Sequence, residues 1–254
     1  AIMNIYESDD FAIEQKKDRS PLTRADKRSH DIIKSVLQNT GFPILSEEGR
    51  DIDYSERRSW DNFWLVDPLD GTKEFIKKNG EFTVNIAFIS KGRPVLGIIY
   101  VPVKKELYFA APDYGAIKCL ECKSIFSSIE ELRSKAITLP IEQWDKRSIA
   151  VVGSRSHMSE PTEAFIEKLR SSYSDVRLIS RGSSLKLCMV AEGGAQLYPR
   201  FAPTMEWDTA AGQAIVEISG GEVLNYPDLD PLLYNKEELK NPWFIVSMDR
   251  RLLN

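Results

Sequence analysis

The chain has 254 residues, and 34 Lys and Arg against 38 Asp and Glu give it a formal net charge of −4. A hydrophobic fraction of 42% is that of an ordinary globular protein and argues against intrinsic disorder. No run of Lys and Arg exceeds two residues, which argues against a surface for nucleic acid polymers. No apolar stretch approaches the roughly 20 residues of a transmembrane helix. Three Cys are too few for a disulfide framework, so we expect a reducing compartment, the cytoplasm.

The first half of the chain predicts one helix followed by a group of strands. Apolar residues recur at helical spacing over residues 26–39. The apolar run 63–66 predicts a buried strand that ends at Asp67, and a short helix is expected over 72–77. An antiparallel meander is then predicted, with strands at 82–89, 95–101 and 107–110.

The second half predicts strands that alternate with helices. We expect strands at 149–152, 176–179 and 196–198, and helices at 160–170, 183–191 and 207–218. This alternation is typical of a layered α/β architecture. The charged stretch between the halves lacks sustained periodicity, so we place there the boundary between an N-terminal subdomain, 1–138, and a C-terminal subdomain, 139–254.

The most informative segment is V-D-P-L-D-G-T at 66–72, where the predicted buried strand meets the short helix. Asp67 and Asp70 can direct their carboxylates at one point. Gly71 and Thr72 offer backbone N–H groups at a helix start, where an anion is favoured. The segment therefore predicts a metal and a phosphate bound together. A purely structural interpretation stays open, in which Asp70 caps the helix and Asp67 ends the strand.

Two further acidic positions follow in the sequence. Glu47 comes directly after the apolar run and serine at 42–46, and Asp208 lies at the start of a predicted helix. If these two met Asp67 and Asp70 in one site, each pair about 5 Å apart would repel by roughly 3 kcal/mol at an effective dielectric near 20. Such a cluster requires cations. A ligand set made only of oxygen favours Mg²⁺ or Mn²⁺ over zinc.

A strand followed by an Asp-rich D-G-T is also the nucleophile loop of haloacid-dehalogenase-type phosphatases. In that loop the two Asp are two residues apart, and the first forms an aspartyl-phosphate. Here Asp67 and Asp70 are three residues apart, with Pro68 between them. The spacing therefore disfavours a covalent phosphoenzyme.

Four elements, in chain order, resemble the lithium-sensitive, magnesium-dependent phosphatase superfamily that includes inositol monophosphatase. They are an early acid, an acidic pair, the D-P-x-D-G-T motif and a late W-D-x-A-A motif, found here as Asp26, Glu47-Glu48, 67–72 and 207–211. Within the superfamily the chain is similar to the 3′(2′),5′-bisphosphate nucleotidases of bacterial sulfur metabolism. The stretches that carry this similarity are 20–26, 70–75, 153–157, 182–186 and 196–200, and the likeness covers nearly the whole chain.

The resemblance implies a fold and an activity. The fold is the layered α/β sugar-phosphatase fold, in which helices and sheets alternate and the active site lies between two subdomains. The activity is hydrolysis of the 3′-phosphate of adenosine 3′,5′-bisphosphate to AMP and phosphate, with inhibition by lithium. Two alternatives stay open: an inositol or sugar (bis)phosphate phosphatase on the same scaffold, and a catalytically idle nucleotide- or metal-binding regulator. The oligomeric state is open, with a monomer favoured.

The resemblance also implies a set of metal ligands. Glu47, Asp67 and the carbonyl of Leu69 are expected to hold one Mg²⁺ ion. Asp67, Asp70 and Asp208 are expected to hold a second, and a third, weaker ion is expected beside Glu47. Mn²⁺ is expected to substitute for Mg²⁺.

The remaining site residues are implied in the same way. Asp26 and Thr72 are expected to polarise the attacking water, with Glu47 contributing to catalysis. The N–H groups of Gly71 and Thr72 are expected to cradle the reacting phosphate. Four residues of the second half are expected around the nucleoside and its non-reacting 5′-phosphate: His157, Ser183, Lys186 and Arg200. The alternative for Lys186 and Arg200 is that they are solvated surface charges.

Overall fold

The computed structural model describes residues 1–8, 10–16, 21–49, 51–122, 125–142, 144, 148–153 and 159–253. Within these ranges the helices are α1 (Ile2–Glu7), α2 (Arg24–Leu37), α3 (Tyr54–Arg57), α4 (Thr72–Ile76), α5 (Ile129–Ser134), α6 (Glu160–Ser172), α7 (Leu185–Glu192) and α8 (Glu206–Ile218), with 3-10 turns at Gln38–Thr40 and Arg250–Leu253. None of these helices has the length and apolar character needed to cross a membrane.

The strands of the same ranges belong to three sheets. They are β1 (Glu14–Gln15), β2 (Pro21–Leu22), β3 (Ile44–Ser46), β4 (Asn62–Asp70), β5 (Thr83–Ser90), β6 (Arg93–Val101), β7 (Glu106–Ala111), β8 (Gly115–Cys119), β9 (Ala136–Thr138), β10 (Ser148–Gly153), β11 (Asp175–Ser180), β12 (Leu197–Arg200), β13 (Glu222–Asn225) and β14 (Phe244–Ser247).

The first large sheet has the order β3-β4-β5-β6-β7-β8-β9. Only the β3–β4 pair within it is parallel, so the predicted antiparallel meander is confirmed and extends to β9. The second large sheet has the order β11-β10-β12-β14-β13 and is mixed, with β10 parallel to both β11 and β12. The strands β1 and β2 form a separate antiparallel pair.

Helices lie between and outside the two large sheets. The helix α8 packs on β5, β6 and β7 of the first sheet, and its neighbour α7 packs on β10 and β12 of the second. The helices α1 and α2 contact each other and the β4 side of the first sheet, while α6 contacts β11 and β12. Helix and sheet layers therefore alternate, which confirms the layered α/β fold expected from the sequence.

The close approach of α8 to the first sheet depends on a missing side chain. Gly97 lies in the middle of β6, and a Cβ atom there would stand 2.2 Å from the backbone oxygen of Ala211 in α8. Both Ala210 and Ala211 are buried, so small residues line the helix side of this contact as well. The contact fixes the height of α8 above the sheet, and with it the position of Asp208 in the first turn of the helix.

Three predicted boundaries are wrong. The strand β4 does not end at Asp67 but continues to Asp70. The helix α7 begins at Leu185 rather than residue 183, because Ser183 has a left-handed φ of 52° that a right-handed helix cannot contain. The stretch taken as the junction contains α5 and β9. The first large sheet ends at Thr138 and the second begins at Ser148; the division into subdomains at 138 and 139 stays a prediction.

Candidate active site

A β-bulge at the end of β4 sets the direction of two carboxylates. Asp67 pairs with Asn85 and Asp70 pairs with Thr83, with a register shift between the two pairs. Two residues of β4 therefore face one residue of β5. Side chains alternate along a strand, so residues three apart would point to opposite faces of a regular sheet. The extra residue returns the Asp70 side chain to the face that Asp67 occupies.

A third carboxylate reaches the same place from α8. Oxygen atoms of Asp67, Asp70 and Asp208 all lie within 4.8 Å of one another. Burial raises the pKa of Asp67 well above its usual range, and the charges of Glu47 and Asp70 raise it further. Burial and the charge of Asp70 likewise raise the pKa of Asp208 to about 8. The structure thus brings together three of the four acids whose meeting the sequence left open.

Glu47 joins this group from the end of β3. Its backbone N–H donates to Val66 O in β4 at 3.1 Å, and its carboxyl group shares a hydrogen bond with that of Asp67. Burial raises the pKa of Glu47, because the charged form loses solvation. The carboxyl groups of Glu47 and Asp67 therefore lie next to each other, where the end of β3 runs beside β4.

A lysine that the sequence did not indicate lies at this point. Lys16 Nζ contacts Glu47 Oε1 at 2.7 Å and also contacts Glu48 Oε1. Burial alone would lower the pKa of Lys16, but the charges and hydrogen bonds of the two glutamates raise it above its usual value. No local sequence pattern predicts this contact, which joins the β1–β2 pair to the end of β3.

Asp26 and Thr72 meet as predicted. The Thr72 hydroxyl donates to Asp26 Oδ1 at 3.2 Å and approaches the carbonyl oxygen of Leu69 at 3.4 Å. The other carboxylate oxygen of Asp26 accepts from the backbone N–H and the hydroxyl of Thr23, which caps α2. Burial raises the pKa of Asp26, while the hydrogen bonds from Thr23 lower it.

A shell of neutral hydrogen-bond donors supports Asp70. The backbone N–H and the hydroxyl of Ser184 both donate to Asp70 Oδ2 at 2.7 Å, and Asn85 Nδ2 lies 3.3 Å from the same oxygen. The Ser184 hydroxyl also reaches the backbone oxygen of Asp208 at 2.9 Å. Ser184 thus connects β4 with α8 through hydrogen bonds. The sequence had indicated its neighbour Ser183 instead.

A cavity of about 420 Å³ opens beside Asp70 and Asp208. Gly71 stands at its edge with a left-handed φ of 90°, and a Cβ atom there would lie 3.1 Å from Glu81 O. Basic side chains line the same cavity from three segments of the chain, namely Lys73, Lys77, Arg181, Lys186 and Arg200. The cavity therefore has Asp70 and Asp208 at one wall, while the other walls carry these five cations together with Glu74 and Glu81.

Lys186 is not a solvated surface charge. It is 7% exposed, and its ammonium donates to the carbonyl oxygen of Ser183 at 2.6 Å. Burial lowers the pKa of Lys186 to about 8, a shift that the charge of Asp70 opposes and that of Arg200 reinforces. Ser183 lines the same cavity as Lys186 but lies before the first residue of α7.

Arg200 lines the cavity from the end of β12. Its Nη2 donates to Pro203 O at 2.9 Å, whereas its buried Nε has no hydrogen-bond partner in the described part of the chain. A buried donor without a partner costs about 1–3 kcal/mol, which an anion in the cavity would recover. His157, expected near the base, lies outside the described residues.

Comparison with known proteins identifies the family. The model of the inositol monophosphatase family matches residues 1–242. The chain belongs to the inositol monophosphatase family. The 3′(2′),5′-bisphosphate nucleotidase CysQ of Salmonella typhimurium is 42% identical over 251 residues, which cover 98% of this chain and 94% of the relative. The CysQ of Buchnera aphidicola is 43% identical over 251 residues, covering 97% and 88%.

A solved structure supports the same assignment. The crystal structure of CysQ from Bacteroides thetaiotaomicron, described as a bacterial member of this family, is 51% identical to the chain. It superposes with a TM-score of 0.89 over 98% of this chain and 92% of that one. The layered fold and the order of its elements are therefore those of a CysQ-like member of the family.

The donors of the acidic cluster fit a hard divalent cation. All are carboxylate oxygens, and burial together with the neighbouring carboxylates raises the pKa of Asp67 and of Asp208. Carboxylate oxygens suit Mg²⁺, Ca²⁺ and Mn²⁺, while zinc usually takes His or Cys. The cluster has the chemistry that the metal dependence of the family requires.

We expect Mg²⁺ to stabilise the protein more at about pH 8 than at about pH 5. The pKa of Asp208 is about 8 in the folded protein and about 3.9 in the unfolded chain. The protonated Asp208 carboxyl group therefore stabilises the folded state fully below about pH 3.9, and this stabilisation is lost as the pH rises through about 8. Cation binding offsets this loss by stabilising the charged form. The measurement is the difference in Tm between Mg²⁺ and EDTA at each pH. Asp208→Asn should remove most of this difference, and equal differences at both pH values would contradict the assignment.

Proposed function

We propose that the chain is a Mg²⁺-dependent 3′(2′),5′-bisphosphate nucleotidase that hydrolyses the 3′-phosphate of adenosine 3′,5′-bisphosphate to AMP and phosphate. The observation that carries this proposal is the cavity, which has Asp70 and Asp208 of the three-carboxylate cluster at one wall and the cations of buried Lys186 and half-buried Arg200 at another. A bisphosphate substrate needs a carboxylate site that can hold metal ions at the reacting phosphate. It also needs basic side chains at the non-reacting phosphate. The three unpaired cysteines agree with a cytoplasmic location.

The metal ligands follow from the cluster and from the family resemblance. Glu47, Asp67 and the carbonyl oxygen of Leu69 are proposed to hold one Mg²⁺ ion. Asp67, Asp70 and Asp208 are proposed to hold a second, with a weaker third ion beside Glu47. Ions held there would supply positive charge to the phosphoryl oxygens and to the leaving 3′ oxygen and would lower the pKa of the attacking water.

The pair of Asp26 and Thr72 is proposed to position that water. The Thr72 hydroxyl donates to Asp26, so its oxygen lone pairs remain free to accept a proton from water, and the buried carboxylate of Asp26 orients the hydroxyl. The raised pKa of Asp26 makes it a better proton acceptor than an exposed carboxylate. In-line attack then releases inorganic phosphate without a covalent enzyme intermediate.

The substrate contacts are proposed from the remaining wall of the cavity. The backbone N–H groups of Gly71 and Thr72 cradle the reacting phosphate. Lys186 and Arg200 bind the 5′-phosphate, where an anion supplies a partner for the buried Arg200 Nε and restores the usual charge of Lys186. Ser183 is proposed to bind the 5′-phosphate as well, and His157 is proposed to lie near the adenine.

Phosphate release with a substrate panel tests the proposal. With Mg²⁺ we expect the highest kcat/KM on adenosine 3′,5′-bisphosphate, a lower value on 3′-AMP, and a lower one again on inositol 1-phosphate, because only the first substrate carries the second phosphate. EDTA should abolish the release. A preference for inositol 1-phosphate would indicate a phosphatase of the inositol type, and the absence of release from every substrate would indicate an idle regulator.

Asp26→Asn and Thr72→Ala should slow the chemical step while sparing Mg²⁺ affinity. The loss in kcat is expected to be about 10²–10⁴-fold for either variant, the usual contribution of a general base. The double variant should lose little more, because the two residues act on the same proton. Single-turnover rates at saturating Mg²⁺ measure the effect. Fully additive losses would show that the two residues do not act as a unit.

Lys186→Ala and Arg200→Ala should each lower kcat/KM on adenosine 3′,5′-bisphosphate by roughly 10- to 100-fold, since a charged hydrogen bond contributes about 1.5–3 kcal/mol. Their effect on 3′-AMP should be small, because that substrate has no 5′-phosphate. Lys186→Met, which keeps the apolar stem, separates loss of charge from loss of packing. Lys168→Ala, on the exposed side of α6, is the control for removal of a cation. Equal losses on both substrates would refute the 5′-phosphate assignment.

A further inference from the structure

A buried glutamate lies on the far side of the helix turn that carries Asp208. Glu206 is the first residue of α8 and is 0% exposed. Its Oε2 accepts from the backbone N–H of Asn235 at 2.7 Å. Its Oε1 accepts from the backbone N–H of Lys236 at 3.0 Å and from the Lys236 ammonium at 2.6 Å. One carboxylate thus binds three donors of a single turn of the chain.

That turn is itself anchored to a distant part of the chain. Asn235 has a left-handed φ of 68°, and its side-chain amide donates to the backbone oxygen of Arg57 at 2.7 Å. The Arg57 guanidinium, which is buried at the end of α3, donates to the Asn235 side chain, to Lys236 O and to Glu237 O. The turn that binds Glu206 is therefore itself fixed by hydrogen bonds to Arg57.

A second contact secures the same turn of α8. Asn241 Nδ2 donates to Met205 O at 2.8 Å and lies 3.0 Å from the Thr209 hydroxyl oxygen. The backbone N–H of Glu206 donates to Leu239 O at 2.9 Å. Residues on both sides of Asp208 are consequently bonded to one short segment, 235–241.

The arrangement opposes a specific force. Oxygen atoms of Asp208 lie within 4.8 Å of those of Asp67 and Asp70, and when these carboxylates are ionised their repulsion pushes the start of α8 away from β4. Residues two positions apart on a helix point about 200° apart, so Glu206 pulls on the face opposite to the one that Asp208 presents. The hydrogen bonds from Asn235 and Lys236 to the Glu206 carboxylate therefore resist movement of the start of α8 away from β4.

We propose that Glu206, bound by the turn of Asn235 to Glu237, is a positioning residue that holds Asp208 in the metal site against the repulsion of Asp67 and Asp70. The inference rests on the proposed function of the site, because it treats Asp208 as a metal ligand. It assigns to the segment 235–241 a role in cation binding, although none of its side chains belongs to the acidic cluster.

Isothermal titration of the substrate-free protein with Mg²⁺ tests the proposal. Glu206→Gln keeps the shape of the side chain but loses its charge and one acceptor oxygen. Since partners that orient metal ligands usually contribute 10- to 100-fold to metal affinity, the Kd for Mg²⁺ should rise by about that factor. At saturating Mg²⁺ the KM for substrate should remain that of the unchanged protein, which a general loss of structure would not allow.

The matched control lies in the same helix. Glu217 is a partly buried glutamate near the other end of α8, and it accepts from Arg93 and from Gln213. Glu217→Gln removes a comparable interaction away from the site, so it should lower Tm and leave the Kd for Mg²⁺ unchanged. An unchanged Kd in Glu206→Gln, with Tm lowered as in the control, would make Glu206 merely structural and overturn the proposal.

A second variant guards against a failure to fold. Asn235→Gly retains the left-handed backbone and removes the side-chain hydrogen bonds to Arg57 and Trp60, so it should weaken Mg²⁺ binding in the same direction by a smaller factor. Normal Mg²⁺ affinity in this variant, if Glu206→Gln does not fold, would overturn the proposal. If the unchanged protein itself does not bind Mg²⁺, the proposed function fails with it. If it binds Mg²⁺ and releases phosphate while the variants bind equally well, only the positioning role fails.

Discussion

Mutual repulsion among buried carboxylates is the constraint on which the rest of this structure depends. Asp67, Asp70 and Asp208 lie within 4.8 Å of one another, where two unit charges repel by about 3–4 kcal/mol at an effective dielectric of 20. Flexible segments would move apart under that force. The three residues therefore need backbones that are fixed by something other than charge, and the fold supplies this at two places: the bulge of β4 and the first turn of α8.

Close packing fixes the second of these places. Gly97 lets α8 approach β6, and Gly212 on α8 lets it approach α7, where a Cβ atom would stand 2.7 Å from Leu187. The first contact sets the distance from Asp208 to the first sheet, and the second sets its distance to Ser184 and Lys186. The same helix thus places the acidic wall of the cavity and the basic wall relative to each other.

The features that sequence predicts here are local ones. The helical spacing over 26–39 and the alternation of strands and helices after residue 148 are local periodicities, and the structure confirms both. The D-P-L-D-G-T motif identified the acids of β4, but it does not predict the bulge that places the Asp70 side chain on the same face as Asp67. The T-x-x-D spacing of Thr23 and Asp26 is a local capping signal that would have placed the start of α2. Lys16, Ser184 and Glu206 escaped prediction because their partners lie far away in sequence, where only the folded chain brings them together.

The separation in sequence between Asp67 and Asp208 has a consequence for how the site comes into being. Contacts between distant residues form late, since closing a long loop costs entropy that local contacts do not recover. A ribosome-bound chain that has completed the first sheet already contains the whole D-P-L-D-G-T motif, yet it lacks α8 and the segment that anchors it. The three-carboxylate cluster therefore forms only after α8 has been synthesised, and a fragment released before that point carries the signature motif without Asp208.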